Sequence, residues 1–146
     1  NLGVNGIGYS NIIVNIILCW MGAMGHCEYQ GVTSPAYDIY EPINTNRVCS
    51  RYYHYLFRSN NYIEEFYRLG RGIVADLWTT RYVEMRNIMI PLPPIEEQQE
   101  IVEYIDAATT KADKMIVELT NHVESMKEYK QRLIADVVTG KINVQP

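Results

Sequence analysis

The residues in this sequence that are best suited to binding chemistry are arginines in one glycine-containing connection. Three arginines fall within residues 68–81, and the two glycines between them would let the backbone approach a phosphate closely. A guanidinium is a planar fork that binds a phosphate, or the edge of a guanine, through two hydrogen bonds at once. We therefore predict a nucleic-acid contact, with Arg71 and Arg81 as the first contacts and Arg68 as a phosphate clamp. Trp78 lies in the same connection and completes the predicted group.

The part of the chain that carries these arginines has an unusual balance of charges. Residues 1–94 contain seven arginines, no lysine and seven acidic residues, so this part is neutral, and they hold ten of the twelve tyrosines. The net charge of −4 comes from residues 95–146, which have six basic and ten acidic residues. Arginine and tyrosine together suit a recognition surface. The same composition also fits a small domain with tyrosines half in its core and arginines on its surface, and both interpretations stay open here.

No arrangement of residues in the sequence matches a common catalytic, cofactor or metal motif. The glycines follow no phosphate-loop spacing, and no histidine lies in a triad-like arrangement with a nucleophile. Five residues could form a zinc site on paper, but their separations match no common pattern. We therefore expect no metal or cofactor, and an independent enzyme is the least favoured of the functions that stay open. The five residues are Cys19, His26, Cys27, Cys49 and His54.

The cysteines and the longest apolar run indicate the compartment. Three cysteines without CxxC spacing are best explained as reduced thiols in a cytoplasmic protein. The apolar run over residues 12–24 is too short to span a bilayer, is broken by Asn15 and lacks the basic flank of a signal peptide. We expect a cytoplasmic protein without a membrane partner, and we interpret the run as a buried strand that leads into a loop.

The elements that must position the arginines are predicted to form a mixed α+β domain. Apolar and β-branched residues predict a strand over 12–18 that is buried on both faces, and short strands over 36–40 and 88–90. Helical spacing predicts helices over 49–57 and 62–69. The predicted N-caps are Ser50 and either Asn60 or Asn61, and Gly70 is the predicted stop. The predicted core residues of these helices are Leu56, Phe57, Ile63, Phe66, Tyr67 and Leu69.

The last third of the chain is predicted to be one long amphipathic helix. Pro94 suits the first helical position, and Gly140 suits the left-handed position just after a helix. Between them, nine of eleven a and d positions of a heptad pattern are apolar, which is typical of helix–helix association. A capping-box pattern at Thr110 and Asp113 allows a break near residues 108–111, and a helix folded back on its own domain is the alternative to association. The predicted interface consists of Val102, Ile105, Ala112, Ile116, Leu119, Val123, Met126, Leu133 and Val137.

Several stretches of the sequence resemble one family of proteins. The string IPLPPIEEQQEIVEYID at residues 90–106, with segments 127–134 and 138–142, closely resembles the C-terminal conserved region of the specificity subunit of type I restriction–modification systems. Residues 31–37 and 62–69 also look like motifs of that family. The resemblance implies a half-unit, in which a shortened target recognition domain at residues 1–94 precedes a conserved helical dimerisation and spacer region at residues 95–146.

The resemblance also implies a function without catalysis. Subunits of this family read a bipartite target in double-stranded DNA and recruit modification subunits, which carry S-adenosylmethionine and methylate adenine. It further implies DNA contacts at Ser34 and Tyr37, which lie in the matching stretch 31–37. We therefore expect three partners: double-stranded DNA, modification subunits, and a second copy of the chain bound through the helix. The alternative is a scaffold or assembly module whose helix still associates but whose shortened domain no longer reads DNA.

Overall fold

The computed structural model describes residues 5–72 and 79–144, and the fold is α+β, as predicted. The chain divides into two compact units, Asn1–Glu103 and Tyr104–Pro146. The strands are β1 (Asn5–Ile7), β2 (Ile12–Asn15), β3 (Met24–His26), β4 (Gly31–Thr33) and β5 (Tyr37–Tyr40). The helices are α1 (Ser50–Phe57), α2 (Asn60–Leu69), α3 (Tyr82–Met85) and α4 (Ile95–Val138), and a 3₁₀ turn at Cys19–Met21 precedes β3.

The strands of the first unit form two small antiparallel sheets. Strand β2 is the centre of a three-stranded sheet in the order β3-β2-β5, and β1 pairs with β4. Strand β5 confirms the strand that was predicted at residues 36–40. Its first residue, Tyr37, pairs with Asn15 at the end of β2, and this pair sets the register of the two strands.

Strand β2 is shorter than predicted. It ends at Asn15, whose side-chain Oδ1 accepts hydrogen bonds from the backbone N–H groups of Ile17 (3.0 Å) and Leu18 (3.1 Å). Because these bonds turn the chain toward the 3₁₀ turn, the predicted strand over 12–18 is wrong beyond Asn15. The predicted burial on both faces is also wrong, since burial in the strand alternates and only Ile12 and Val14 are fully covered.

Helices α1 and α2 confirm the two predicted helices, but the predicted caps are wrong. The N-cap of α1 is Cys49, and the hydroxyl of Ser50 instead lies 3.0 Å from Nδ1 of His26, within hydrogen-bonding distance. The N-cap of α2 is Ser59, so both asparagines lie inside the helix. Gly70 follows the last residue of α2, as predicted.

The hydrophobic core of the first unit combines the three-stranded sheet, α1, α2 and the first turns of α4. Phe66 is fully buried, as predicted, and Leu56 and Phe57 pack against the core. The prediction for Tyr67 is wrong, because its side chain is 50% exposed and its ring meets Trp20 edge-on with centroids 6.0 Å apart. The buried core cluster consists of Ile12, Val14, Cys19, Met24, Tyr52, Tyr53, Phe66 and Val102.

Residues 88–90 do not form the predicted strand. Carbonyl groups in and beside this stretch accept hydrogen bonds from tyrosine hydroxyls: Tyr62 donates to Met89 and Tyr53 donates to Pro91, both at 3.0 Å. Side chains of α1 and α2 therefore hold this irregular segment, in place of a neighbouring strand. Strand periodicity in the sequence does not reveal such donors, because they come from distant helices.

Helix α4 begins one residue later than predicted. The carbonyl of Pro94 accepts the first helical hydrogen bond, from the N–H of Gln98 (3.1 Å), so Pro94 is the N-cap and Ile95 is the first helical residue. Glu96 and Glu97 lie in the first turn, where negative charge is favourable beside the positive end of the helix dipole.

In the second unit, α4 continues without interruption, so the break that the sequence allowed near residues 108–111 does not occur. The capping-box pattern at Thr110 and Asp113 therefore starts no new helix, and the neighbouring Thr109 hydroxyl donates to the carbonyl of Ile105 (2.8 Å) within α4. Gly140 has a φ of 77°, the left-handed conformation that was predicted. The N–H groups of Gly140 and Lys141 donate to Val137 (3.1 Å) and Asp136 (2.9 Å), a Schellman closure of the helix.

Candidate nucleic-acid interface

The connection that carries the predicted arginines is closed at its base by backbone pairing. Arg71 and Thr79 form an antiparallel bridge with hydrogen bonds of 3.1 and 2.9 Å. Thr80 follows and is fully buried, and its hydroxyl lies 3.5 Å from the carbonyl of Phe66. We call residues 71 and 79–81 the loop base. Because the loop base is fixed to the core, the exposed side chains of Arg71 and Arg81 start from a defined backbone position.

The predicted contacts Ser34 and Tyr37 lie in a turn between β4 and β5. The Ser34 carbonyl accepts from the N–H of Tyr37 (3.2 Å), and the Ser34 hydroxyl is near the N–H of Ala36 (3.4 Å). Ser34 is exposed and Tyr37 is half-buried. We call residues 34–37 the β4–β5 turn. The serine side chain is therefore open to a ligand, whereas the tyrosine lies half-buried at the start of β5.

Ile16 joins the β4–β5 turn to the loop base. Its backbone N–H donates to the carbonyl of Ala36 (3.0 Å), and its carbonyl accepts from the N–H of Thr80 (2.8 Å). Both segments therefore contact the backbone of the same residue, just after the end of β2. The structure thus brings together two groups of predicted contacts that are far apart in the sequence.

Arg68 has a local partner of opposite charge. Its Nε and Nη2 atoms donate to Oε2 of Glu65 at 3.1 and 2.6 Å, on the exposed face of α2. The hydrogen bonds to Glu65 raise the pKa of the Arg68 guanidinium. A phosphate at this position would have to share the guanidinium with Glu65 or displace it. Trp78 and the rest of residues 73–78 lie outside the described residues.

Helix α3 presents Arg81 at its amino end. The backbone N–H of Arg81 donates to the carboxylate of Glu84 (3.0 Å), so this carboxylate caps the helix. The guanidinium of Arg81 is exposed beside the loop base. Because its backbone is fixed and its side chain is exposed, Arg81 is suited to contact a large, negatively charged partner.

A cleft of about 510 Å³ is another candidate binding feature among the described residues of the first unit. It opens between β2, β5, α1 and residues 82–92, and most of its lining is aliphatic or aromatic. Ser50 lines it, but the Ser50 hydroxyl lies 3.0 Å from Nδ1 of His26. The cleft suits an apolar group better than a phosphate, so the arginine surface remains the stronger candidate for contact with nucleic acid.

Gln98 is a buried residue to which the sequence assigned no role. Its side chain is fully buried, and its Oε1 accepts from the backbone N–H of Cys49 (2.8 Å). Its Nε2 donates to the carbonyls of Arg47 (2.9 Å) and Pro93 (2.8 Å). One signal in the sequence could have indicated that Gln98 is buried. It lies three residues before Ile101 and four before Val102, which places it on the face of α4 that packs into the core.

The polar and sulfur-containing residues of the described chain do not assemble a metal site. Within residues 5–72 and 79–144, no group of three or more His, Cys, Asp or Glu side chains is placed to hold a metal ion. His26 lies near Ser50 and His54, and burial lowers its pKa. All three cysteines are free thiols. No helix in the described ranges has the length and apolar character that a membrane crossing requires.

Comparison with known proteins supports the resemblance. Residues 10–125 match the family described as Type I restriction modification DNA specificity domain. The chain belongs to this family. It is also 28% identical over 67 residues to the Type I restriction enzyme EcoBI specificity subunit of Escherichia coli. That match covers 46% of the chain but 14% of the relative, so this specificity domain corresponds to a small part of the larger subunit.

Proposed function

We propose that this specificity domain recognises double-stranded DNA as a non-catalytic part of a type I restriction–modification complex. The observation that carries the proposal is the pair of hydrogen bonds through Ile16, which brings the β4–β5 turn and the loop base to one end of β2. Each segment supplies exposed polar or charged side chains, namely Ser34, Arg71 and Arg81. Family membership makes DNA the partner that this surface fits best.

The neutral charge of residues 1–94 favours sequence-specific DNA binding over non-specific electrostatic binding. Residues 1–94 are neutral and contain no lysine, so long-range electrostatic steering is weak. Non-specific affinity should therefore be poor, with a dissociation constant weaker than about 10⁻⁵ M at physiological salt. Specific binding would depend on a few well-placed guanidiniums, which can form two hydrogen bonds to guanine.

The exposed apolar face of α4 supports the proposed association with a second copy. In the second unit, Ile116, Leu119, Val123 and Met126 are 60%, 60%, 52% and 69% exposed. These residues occupy successive a and d positions of the heptad pattern. A continuous row of large apolar side chains is unfavourable in water, and burying it against a matching row stabilises the assembly by about 25 cal/mol per Å².

An antiparallel arrangement satisfies the heptad pattern better than a parallel one. In a parallel dimer, Lys130 would face its own copy at an a position, with two ammonium groups in close proximity. Reversing one helix exchanges a and d, so that Lys130 lies opposite the small Ala112 and its stem has space. The same register places Asp113 opposite Lys127 of the second copy, twice by symmetry. The core layers are then Ile105 with Val137, Thr109 with Leu133, Ala112 with Lys130, Ile116 with Met126, and Leu119 with Val123.

Such a dimer would act as a ruler: the length of its helices would set the spacing between the two halves of a bipartite DNA target. It would also bring the modification subunits to that target. The part of α4 in the second unit is about 50 Å long at 1.5 Å per residue. Two identical chains related by a two-fold axis would prefer a palindromic pair of half-sites. Inserting seven residues in the middle of the helix should lengthen the preferred spacer by about three base pairs, since a heptad adds ~10.5 Å. A preferred spacer that did not change would count against the ruler.

A scaffold that no longer reads DNA is the second candidate function. The exposed apolar face of α4 favours it as much as it favours DNA recognition, because both functions need the helix to associate. Salt-dependent binding to duplex DNA separates the two candidates, because only the recognition function predicts it. We further propose that the protein acts in the cytoplasm, where its three free thiols stay reduced.

A further inference from the structure

We propose that Gln98 is a positioning residue that fixes the direction in which α4 leaves the recognition unit, and thereby restricts the spacing of the two DNA half-sites. The inference rests on the proposed function, because a spacing preference requires two recognition units that bind DNA. Its structural part, the restraint on the start of α4, rests on the first unit alone.

The side chain of Gln98 connects three separate backbone positions. It accepts from the N–H of Cys49, the N-cap of α1, and it donates to the carbonyls of Arg47 and Pro93. All three distances lie between 2.8 and 2.9 Å, and the side chain is fully buried. One amide therefore ties the first turn of α4 to the start of α1 and to the proline segment that precedes α4.

Only a glutamine side chain meets these requirements. The site needs one acceptor and two donors at the end of a two-methylene stem. Glutamate has the length but would present carboxylate oxygens to two carbonyl oxygens. Methionine has the length and is accommodated in apolar surroundings, but it leaves the N–H of Cys49 and both carbonyls without this partner.

Directional bonds restrain the helix in a way that apolar packing does not. Val102 is buried one turn later, but its contacts are non-directional and tolerate small tilts of the helix. Hydrogen bonds weaken steeply when their angle departs from linearity, so the three bonds of Gln98 resist such tilting. A tilt of about 10° at the base of a ~50 Å helix would displace its far end by roughly 9 Å. That displacement corresponds to two or three base pairs at 3.4 Å each.

The matched control is Gln99, an exposed glutamine on the same turn. We would compare Gln98→Met and Gln99→Met in this chain with Cys49 replaced by serine. Spin labels on exposed positions 46 and 114 would report the distance distribution between the recognition unit and α4, with unlabelled chain added to remove signals between copies. The expected result is at least a twofold broader distribution for Gln98→Met, with unchanged helix content and mass, and a wild-type distribution for Gln99→Met. An unchanged distribution for Gln98→Met would overturn the inference, whatever the chain does with DNA.

The second arm measures the spacing preference itself. A pool of random duplexes is enriched on the wild-type chain, and the best half-sites are then placed at a series of spacings. Gln98→Met should bind a single half-site within twofold of wild type, lose at least tenfold affinity for the best-spaced pair, and accept a wider range of spacings. If the variant keeps the wild-type range, the spacing role fails and DNA recognition stands. If wild type enriches no DNA, the proposed function fails and the spacing role fails with it.

Discussion

Leu119 tests the proposed helix–helix seam most sharply, because the chain contains a matched control two residues away. Leu119 occupies a d position near the centre of the antiparallel register and is 60% exposed in the single chain. Val117 is also 60% exposed but occupies a b position, away from the seam. Leu119→Asp should therefore weaken the assembly, whereas Val117→Asp should leave it unchanged.

The size of the effect follows from the exposed fraction of the side chain. Full burial of a leucine contributes roughly 1.5–3 kcal/mol, so a side chain with 60% of its surface left to bury contributes about 1–2 kcal/mol. The dimer has two copies of the contact, and their loss costs about 2–4 kcal/mol. The dissociation constant should rise by about thirtyfold to several hundredfold, since 1.4 kcal/mol is a factor of ten. The cost of desolvating the new carboxylate makes this a lower bound.

The assay is sedimentation or light scattering over a range of protein concentrations, with helix content followed by circular dichroism. The reasoning predicts that Leu119→Asp is monomeric where wild type and Val117→Asp are dimeric. An unchanged mass for Leu119→Asp would refute the seam. Equal weakening by both variants would also refute it, because it would show a general effect of added charge on the helix.

Three further predictions concern charge. Lys130→Leu should stabilise the dimer or change its order, as measured by the same sedimentation series, because a polar a position lowers stability and sets register; a weaker dimer would contradict the placement of Lys130 in the seam. Asp113→Lys and Lys127→Asp should each weaken the dimer by roughly 1–2 kcal/mol, while the double variant recovers most of the loss. The double variant still lacks the ion pair between Lys127 and Glu124 of the same chain (2.7 Å), so recovery of dimer stability should be incomplete. A double variant whose dimer is no more stable than those of the single variants would exclude the antiparallel register. Finally, burial lowers the pKa of His26 in the folded chain, so the unfolded chain binds this proton more readily. The contribution of His26 to stability should be constant above about pH 6.5 and fall as the pH drops below it. Urea midpoints for His26→Gln should therefore fall less with decreasing pH than those for the exposed control His122→Gln, and equal slopes would count against His26 as the cause.

The parts of the structure that could be predicted from the sequence are those that depend on local periodicity and on glycine or proline. Helices α1, α2 and α4, strand β5 and the left-handed Gly140 were all predicted from such signals. The family resemblance was also visible in the sequence, because its most specific string lies at the start of α4. These features are local, so a single sequence contains the information that specifies them.

The two wrong strand predictions have a common physical origin in side chains that bond to backbone groups, whether nearby or distant. Asn15 ends β2 early through its own Oδ1, and the tyrosine hydroxyls of α1 and α2 hold residues 89–91 in place of a strand. The role of Gln98 likewise depends on backbone groups about fifty positions away. Periodicity does not encode such partners. The meeting of the β4–β5 turn and the loop base at Ile16 was unpredictable for the same reason.

The most direct test of DNA recognition is the affinity of the assembled protein for duplex DNA as a function of salt. The chain, together with modification subunits, would be titrated against its enriched target and random duplex by fluorescence anisotropy between 50 and 200 mM salt. Arg81→Ala should cost about 1–3 kcal/mol and relax preference at one base pair, and Arg71→Ala should also weaken binding without loss of fold. Arg68→Ala should weaken all sequences alike and lower the salt slope by about one, whereas the control Arg132→Ala on α4 should match wild type. If neither Arg71→Ala nor Arg81→Ala alters binding, recognition through this surface is contradicted and the scaffold function takes its place.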